Sequence, residues 1–529
     1  MKPIEAMVVM FCAIVVVVLV GRRLKIPYPI ALVIGGLCIS LIPGLPTIRI
    51  NPELVFLVFL PPLLFAAAWF TSWYDFKANL RPLFLLAVGL VLFTTIITGL
   101  VVHALIPGIP LAIAFAFGAI VSPPDAVAAT AIAEQMHLPR RIVTILEGES
   151  LVNDATGLVA LRFALAAAIS GSFSLSMAAA QFVWVATGGL LFGLLVGVLA
   201  DKLVRFLKED SLVITVSLLV PYAAYLPAER LHLSGVLAAV AAGIYAGWKS
   251  PESLSGSVRL GGSAVWGLLV FVVNCALFIL IGLELPEVFG SLKEYSTAQL
   301  IAYGAIASSV VMIVRPIWVF PATWLPRLLS QRLRARDPIP PWQAVAIISW
   351  SGMRGVVSLA AALALPLNLG GDRTFPARNL VIFLTFCVIL STLVFQGLSL
   401  PFLIRWLGIS ERRGEHLERE ARYKIAEAAL NFLQHAAEAP RANEAAIQYL
   451  TNIYRQRVFH FKDELAETLG WSPDHERWIV TRQLWLQTLG AQRKELVRLN
   501  REHQIDEQLM RQIQQEIDIE EAAARSLAI

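Results

Sequence analysis

Apolar runs of about 20 residues recur along this chain from Met7 to Trp406, and each is long enough to cross a bilayer as a helix. A membrane β-barrel would instead show short alternating segments, and none stands out. The charge content agrees: 15% of the 529 residues are charged, against roughly a quarter in soluble proteins. The mean hydropathy is +0.69. The fold class is therefore an all-α polytopic membrane protein. With a window of roughly 20 residues, about thirteen spans are predicted near 5–20, 28–45, 53–70, 81–106, 110–135, 141–170, 174–206, 211–228, 233–248, 262–284, 298–325, 341–367 and 379–406.

The first run is read as a retained helix rather than a cleaved signal. Only Lys2 precedes it, no A-x-A site follows, and GRRLK (Gly21 to Lys25) makes a good cytoplasmic flank. Basic residues set the orientation. One set of alternating loops carries Arg22, Arg23, Lys25, Lys77, Arg81, Arg140, Arg141, Lys202, Arg205, Lys208, Lys249, Arg259, Arg327, Arg332, Arg334 and Arg336. The other carries Arg49, Arg230, Lys293, Arg373 and Arg378. The positive-inside rule puts the richer set in the cytoplasm, with the N-terminus outside and the C-terminus inside. Composition changes after Trp406, so two domains are expected: a transmembrane domain at 1–406 and a helical cytoplasmic domain at 407–529. The second reads either as a solvated helical tail that packs on itself or as a regulatory, dimer-contacting domain. A regulatory partner cannot be named from it.

Several function classes find no support. There is no nucleic-acid motif, Walker loop or G-x-S-x-G. Cys12, Cys38, Cys275 and Cys387 stand singly in apolar runs, without metal-binding spacing. Neither an enzyme nor a resident cofactor is expected.

Two spans carry signals against an unbroken helix. In the fifth, Pro123, Pro124 and Asp125 interrupt GAIVSPPDAVAA; proline removes a backbone donor and clashes with the preceding turn. In the twelfth, Gly352 and Gly355 flank Arg354 within SWSGMRGVVS. With six helices as one unit, the seventh as linker and six more as a second unit, each break falls in a fifth helix. The odd linker inverts the second unit. Inverted repeats with paired discontinuous helices point to a secondary transporter with a site at the midplane.

An ionisable group within a span is costly and by default functional. The alternative, a charge near a helix end reaching for water, suits Glu284, Arg162 and Glu134. It fits Asp125 and Asp154 poorly, because their apolar flanks are long on both sides. In EGESLVNDATG (Glu147 to Gly157), Ser150 and Asp154 share one helix face and Asn153 lies beside them. Oxygen ligands of this kind suit a hard cation. The broken fifth helix adds Asp125 and freed carbonyls near Ser122 to Pro124. By charge sign, Asp125 would neutralise the positive dipole ends of the opened helices and Arg354 the negative ones. A carboxylate away from water resists ionising, while a nearby cation favours it, so a proton and a metal ion compete for one site. If only loaded states swing across the membrane, the outcome is cation/proton exchange. A cation channel with Asp154 as its selectivity charge and a membrane sensor are the readings from other classes.

SPPDAVA, EGESLVNDATG, the arginine in MIVRPIWVFP and SGMRGVVSLA together resemble sodium/proton antiporters of the monovalent cation:proton antiporter-1 family, in particular its bacterial NhaP and YjcE-type members. The resemblance covers about residues 1–410. It implies that Asp154 binds the cation and carries the proton, with Ser150 and Asp125 completing a Na⁺ site. It implies that Asn153 marks the branch associated with electroneutral one-for-one exchange, and that Glu149 pairs with Arg315. From the residues alone, Arg315 could equally be snorkelling. It further implies a homodimer in the bacterial inner membrane, serving pH homeostasis, with a mobile core of helices four to six and eleven to thirteen in an elevator-type movement. Potassium/proton exchange remains the near rival, and lithium is a further candidate ion. Pro124 and Ala126 depart from the family's S-P-T-D-P pattern; the Pro124 carbonyl remains available where a threonine hydroxyl is lost. Ala66 stands where archaeal members carry a glutamate. Glu147 reads as a residue of the cytoplasmic mouth.

Overall fold

The computed structural model describes residues 3–409, apart from 25, 42–54, 137, 172–173, 291, 293 and 369–374, and beyond them only short pieces between 423 and 521. All regular structure among the described residues is helical. In a bilayer this follows from the backbone, which can bond only to itself. In chain order the helices are α1 (Pro3–Arg23), α2 (Tyr28–Ser40), a π-helical turn (Val55–Phe59) leading into α3 (Leu60–Phe70), α4 (Trp73–Ala78), and α5 (Leu80–Phe84). A second π stretch (Leu85–Leu90) continues α5 into α6 (Val91–Leu105). Then come α7 (Leu111–Val121), α8 (Ala126–Gln135), α9 (Arg140–Ser170), α10 (Leu175–Phe206), α11 (Asp210–Arg230), α12 (Gly235–Ser253), α13 (Gly256–Gly290), α14 (Thr297–Leu329), α15 (Gln331–Arg336), α16 (Trp342–Trp350), α17 (Val356–Leu363), and α18 (Arg378–Ser391). A third π stretch (Thr392–Gln396) joins α18 to α19 (Gly397–Leu407).

Helices occupy each of the thirteen predicted segments. Among the described residues, eight are long and apolar enough to cross a membrane, and 28–40 and 57–70 form shorter apolar helices. Both expected breaks exist. α7 stops at Val121 and α8 starts at Ala126; α16 stops at Trp350 and α17 starts at Val356. One boundary is corrected: the segment predicted at 262–284 is a helix over Gly256–Gly290. Glu284 therefore lies inside the helix and is 7% exposed, rather than reaching water from a span end. The π stretches have no signature in the sequence pattern. Local sequence sets the helix starts more visibly: Ser174, Ser234 and Ser296 each cap the helix that follows, the last in a capping box with Gln299.

The helices form two bundles. α2 packs on α13, and α10, α11 and α3 pack on α12. This scaffold holds an apolar cluster of Phe65, Val220, Ala224, Ala238 and Trp266, among which Ala66 is buried. The other bundle combines α6–α9 with α14 and α16–α19. There α7 packs on α6 and α9, α14 packs on α6, α16 and α18, and α17 and α18 close against α7. Both broken helices and α9 belong to this second bundle. Compactness divides the chain into Met1–Ser410 and Glu411–Ile529, four residues beyond the expected boundary. The described pieces of the second unit are helical, the longest at 427–435.

Candidate ion-binding site

The two breaks cross and bond to each other. The Asp125 amide donates to the Met353 carbonyl at 2.7 Å. The Arg354 guanidinium donates through Nε to the Val121 carbonyl and through Nη1, at 2.9 Å, to the Gly352 carbonyl. Its own amide donates to Thr392 Oγ1 at 3.0 Å. Arg354 is 0% exposed. One guanidinium thus serves the C-terminal end of α7 and the strand of chain leaving α16, where unsatisfied carbonyls concentrate negative charge.

Asp125 does the converse at the helix N-termini. Its Oδ1 accepts from the Val127 amide at 2.8 Å, capping α8, and its Oδ2 lies against Gly355 at the head of α17. Gly355 makes this approach possible, because a Cβ there would overlap Asp125 Oδ2. A side chain at Gly352 would press likewise on the Arg315 Cδ. The pair of glycines is therefore required by the close approach of a carboxylate and a guanidinium, not only by the break.

α9 runs beside the crossing. Asn153 is fully buried and its Nδ2 donates to the Pro124 carbonyl at 3.0 Å. Its Oδ1 has no hydrogen-bond partner among the described residues. Ser150 Oγ accepts the Ala126 amide at 3.4 Å. Asp154, 6% exposed, lies close enough to Asp125 for their charges to interact. The Asp125 carboxylate is held by the Val127 amide, whereas no described donor bonds to Asp154. Asp125, Asp154, Ser150, Asn153 and the Pro124 carbonyl are thus gathered at one place, and the Pro124 carbonyl already accepts one hydrogen bond.

Glu149 and Arg315 face each other inside the same bundle, each 1% exposed, with Nη1–Oε1 at 2.6 Å and Nη2–Oε2 at 2.7 Å. Arg315 Nε also donates to the Ile348 carbonyl at 3.1 Å, so the pair joins α9, α14 and the end of α16. Glu147 is half-buried and shares a face of α9 with Val143, Ser150 and Asp154. The first three are partly exposed, which leads from the basic end of α9 toward Asp154. The Glu134 side chain lies outside the described residues.

Arg162 is corrected in part. It is exposed, as a charge reaching water would be, but it also has a partner, Glu229 of α11, at 2.7 Å, and Glu229 accepts the Gly235 amide at 3.0 Å as well. Sequence reasoning missed it because the two residues are 67 apart and neither is in a motif. Thr392 was missed for a similar reason: a threonine in an apolar run gives no sign that a distant arginine amide will use its hydroxyl.

Crossed broken helices in a polytopic helical protein, with a buried carboxylate at the crossing, define the class of transporters built on discontinuous helices. A family model described as "Sodium/hydrogen exchanger, transmembrane" matches residues 7–406, and the chain belongs to that family of multi-pass monovalent cation:proton antiporters. It is 32% identical over 505 residues to a sodium, potassium, lithium and rubidium/H⁺ antiporter of Bacillus pumilus (strain SAFR-032), covering 93% of this chain and 73% of that one. The Na⁺/H⁺ exchanger YjcE of Escherichia coli (strain K12), itself uncharacterized, is 31% identical, with 94% of each chain covered. Among solved structures, the sodium proton antiporter MjNhaP1 from Methanocaldococcus jannaschii shares the fold at a TM-score of 0.60 and 19% identity, over 77% of this chain and 99% of that one.

Proposed function

We propose that this chain exchanges Na⁺ for H⁺ one for one, with cation and proton competing for Asp154. One observation carries the reading: of two interacting carboxylates, half-buried Asp125 is held by the Val127 amide, while buried Asp154 accepts no hydrogen bond from any described residue. An unpaired charge in such a place must be neutralised. A proton or a monovalent cation does so with equal net charge, which makes the loaded states equivalent and the exchange electroneutral. Ser150 Oγ, Asn153 Oδ1, Asp125 and the second lone pair of the Pro124 carbonyl are the neighbouring oxygens for a hard cation. Glu149 with Arg315 would hold the core together, and Arg354 would hold the crossing.

The remaining parts follow from the same reading. Thirteen spans would form two inverted six-helix repeats around the linker α10. The bundle holding the site would move against the scaffold in an elevator-type cycle. The protein would work as a homodimer in the bacterial inner membrane, its N-terminus outside and residues 407–529 in the cytoplasm. Potassium/proton exchange is the second reading. The Bacillus pumilus relative, a sodium, potassium, lithium and rubidium/H⁺ antiporter, favours it.

The test is reconstitution in proteoliposomes with an internal pH dye, under imposed sodium and then potassium gradients, with the voltage clamped where the gradient allows. A sodium-driven pH change, indifferent to voltage and absent in Asp154→Asn, is expected. A response to potassium alone moves the assignment to the second reading. Current without proton movement overturns exchange in favour of a channel.

A further inference from the structure

Away from the ion site, at the basic end of the same bundle, three arginines meet around one carboxylate. Asp337 Oδ1 lies 2.9 Å from Arg141 Nη2 and its Oδ2 lies 2.5 Å from Arg327 Nη2. Arg81 Nη1 reaches only 3.8 Å from Asp337 Oδ2. Arg141 is further held by Asn79 Oδ1, and Arg327 by the Thr323 and Asp337 carbonyls. Arg81 differs. Both its terminal nitrogens are shut off from the surface, and neither has a hydrogen-bond partner among the described residues.

All three arginines line one cavity of about 70 Å³, whose apolar lining includes Leu86, Ile145 and Val345. A water needs roughly 10–15 Å³ on this measure, so the space takes several waters or one small polyatomic ion. Water can satisfy the Arg81 donors but not the charge: three guanidiniums against a single carboxylate leave a surplus of two positive charges beside apolar walls. An anion satisfies both. Planar guanidinium forks match the spaced oxygens of a phosphate group, and a dianion matches the surplus.

We propose that the Arg81, Arg141 and Arg327 cavity is a phosphate-binding site. Its ligand is a phosphate dianion, carried as a monoester by a lipid headgroup or free in solution as inorganic phosphate. The site lies apart from Asp154 and does not depend on which ion is exchanged. An occupant would tie the start of α5, the start of α9 and the end of α14 together at one end of the bundle.

The experiment is thermal melting of the purified full-length protein in uncharged detergent. One arm titrates potassium phosphate against potassium chloride at equal ionic strength. The other adds phosphatidic acid, with phosphatidylcholine as its reference. A saturable rise in Tm of about 3 °C or more is expected in at least one arm. Arg81→Gln should abolish it, whereas Arg332→Gln, an exposed arginine outside the cluster, should keep it. A response to free phosphate assigns a soluble ligand, and a response to phosphatidic acid alone assigns a lipid headgroup. No response of the unaltered protein in either arm overturns the proposal, and so does an equal response in Arg81→Gln. If Arg81→Gln does not yield monodisperse protein, Arg81→Lys decides. Keeping the charge but losing the fork, it should need at least tenfold more ligand, and an unchanged midpoint overturns the proposal.

Discussion

At the scale of single residues, the most consequential contact is the Glu149–Arg315 pair. Removing one partner of a fully buried ion pair leaves an uncompensated charge and costs about 3–5 kcal/mol, while replacing both by apolar side chains recovers much of that. Glu149→Gln should therefore lower the melting temperature of the purified protein sharply, and Glu149→Leu with Arg315→Met should restore part of it. Equal melting of the single and double variants would refute this. Asn153 tests the charge count of the site. Asn153→Asp adds one negative charge beside Asp154; two protons can then neutralise the pair on one crossing while a single Na⁺ occupies it on the other, the two loaded states differ by one charge, and exchange should become sensitive to membrane voltage. Voltage-indifferent exchange by that variant would refute the count. Most of this residue-level site was legible beforehand, because charges and prolines in apolar runs are rare enough to stand out. What was not legible depends on distant geometry: the partner of Arg162, and the use of Pro124 and Thr392 as fixed hydrogen-bonding points for side chains or amides elsewhere in the chain.

At the scale of elements, the breaks explain why glycine occupies 352 and 355. Gly355→Ala would place a methyl group on the Asp125 carboxylate, forcing the two helix heads apart. Exchange should fall to background even where the protein still folds. Gly256→Ala, at a position with nothing within 4 Å of an added Cβ, is the control and should exchange normally. Exchange by Gly355→Ala at the control's rate would refute the packing argument. The breaks were readable from prolines and glycines, whose backbone chemistry is local. The three π stretches were not, because their residues are apolar almost all round, so a change of helical period leaves no mark in the pattern. The long extension of α13 escaped for the opposite reason: its ends are less apolar than its middle, so hydropathy stops short of the helix. The loop carrying Asp337 adds a pH prediction. Burial pushes its carboxyl up, but the Arg141 hydrogen bond and the Arg327 charge outweigh burial and hold it below its ordinary 3.8. A depressed carboxyl contributes stability above its unfolded value and loses it as pH falls through the folded one. Asp337→Asn should thus melt lower than the unaltered protein at pH 7, and the gap should narrow only below about pH 4. A gap that closes between pH 5 and 7 would refute this.

At the scale of the whole molecule, apolar side chains of both bundles share one core, and the described ion pair between the bundles differs from the one inside. Within the site-bearing bundle the ties are buried and bidentate. Between bundles, Arg162 of α9 meets Glu229 of α11 where both side chains are partly exposed, at 51% and 28%. Pairs of that kind contribute about 1 kcal/mol or less, which is small enough to make and break within a transport cycle. If the bundles move past each other, a thiol-reactive linker between Arg162→Cys and Glu229→Cys should arrest exchange, while each single variant treated alike continues. Undiminished exchange in fully linked protein would remove inter-bundle movement from the mechanism.

The crossing of the two broken helices also has a consequence for how the chain is made. The Val121 carbonyl and the Arg354 guanidinium that bonds to it are separated by 233 residues. At a synthesis rate of about 5–20 residues per second, the first break waits about 10–50 s for its partner to emerge. Through that interval the Val121 carbonyl and the Asp125 amide sit in the bilayer without the groups that later satisfy them. The first half of the protein is therefore inserted before it can be finished. Its passage through the membrane-insertion machinery depends on temporary hosts, such as water or an insertion factor, until the second break arrives to displace them.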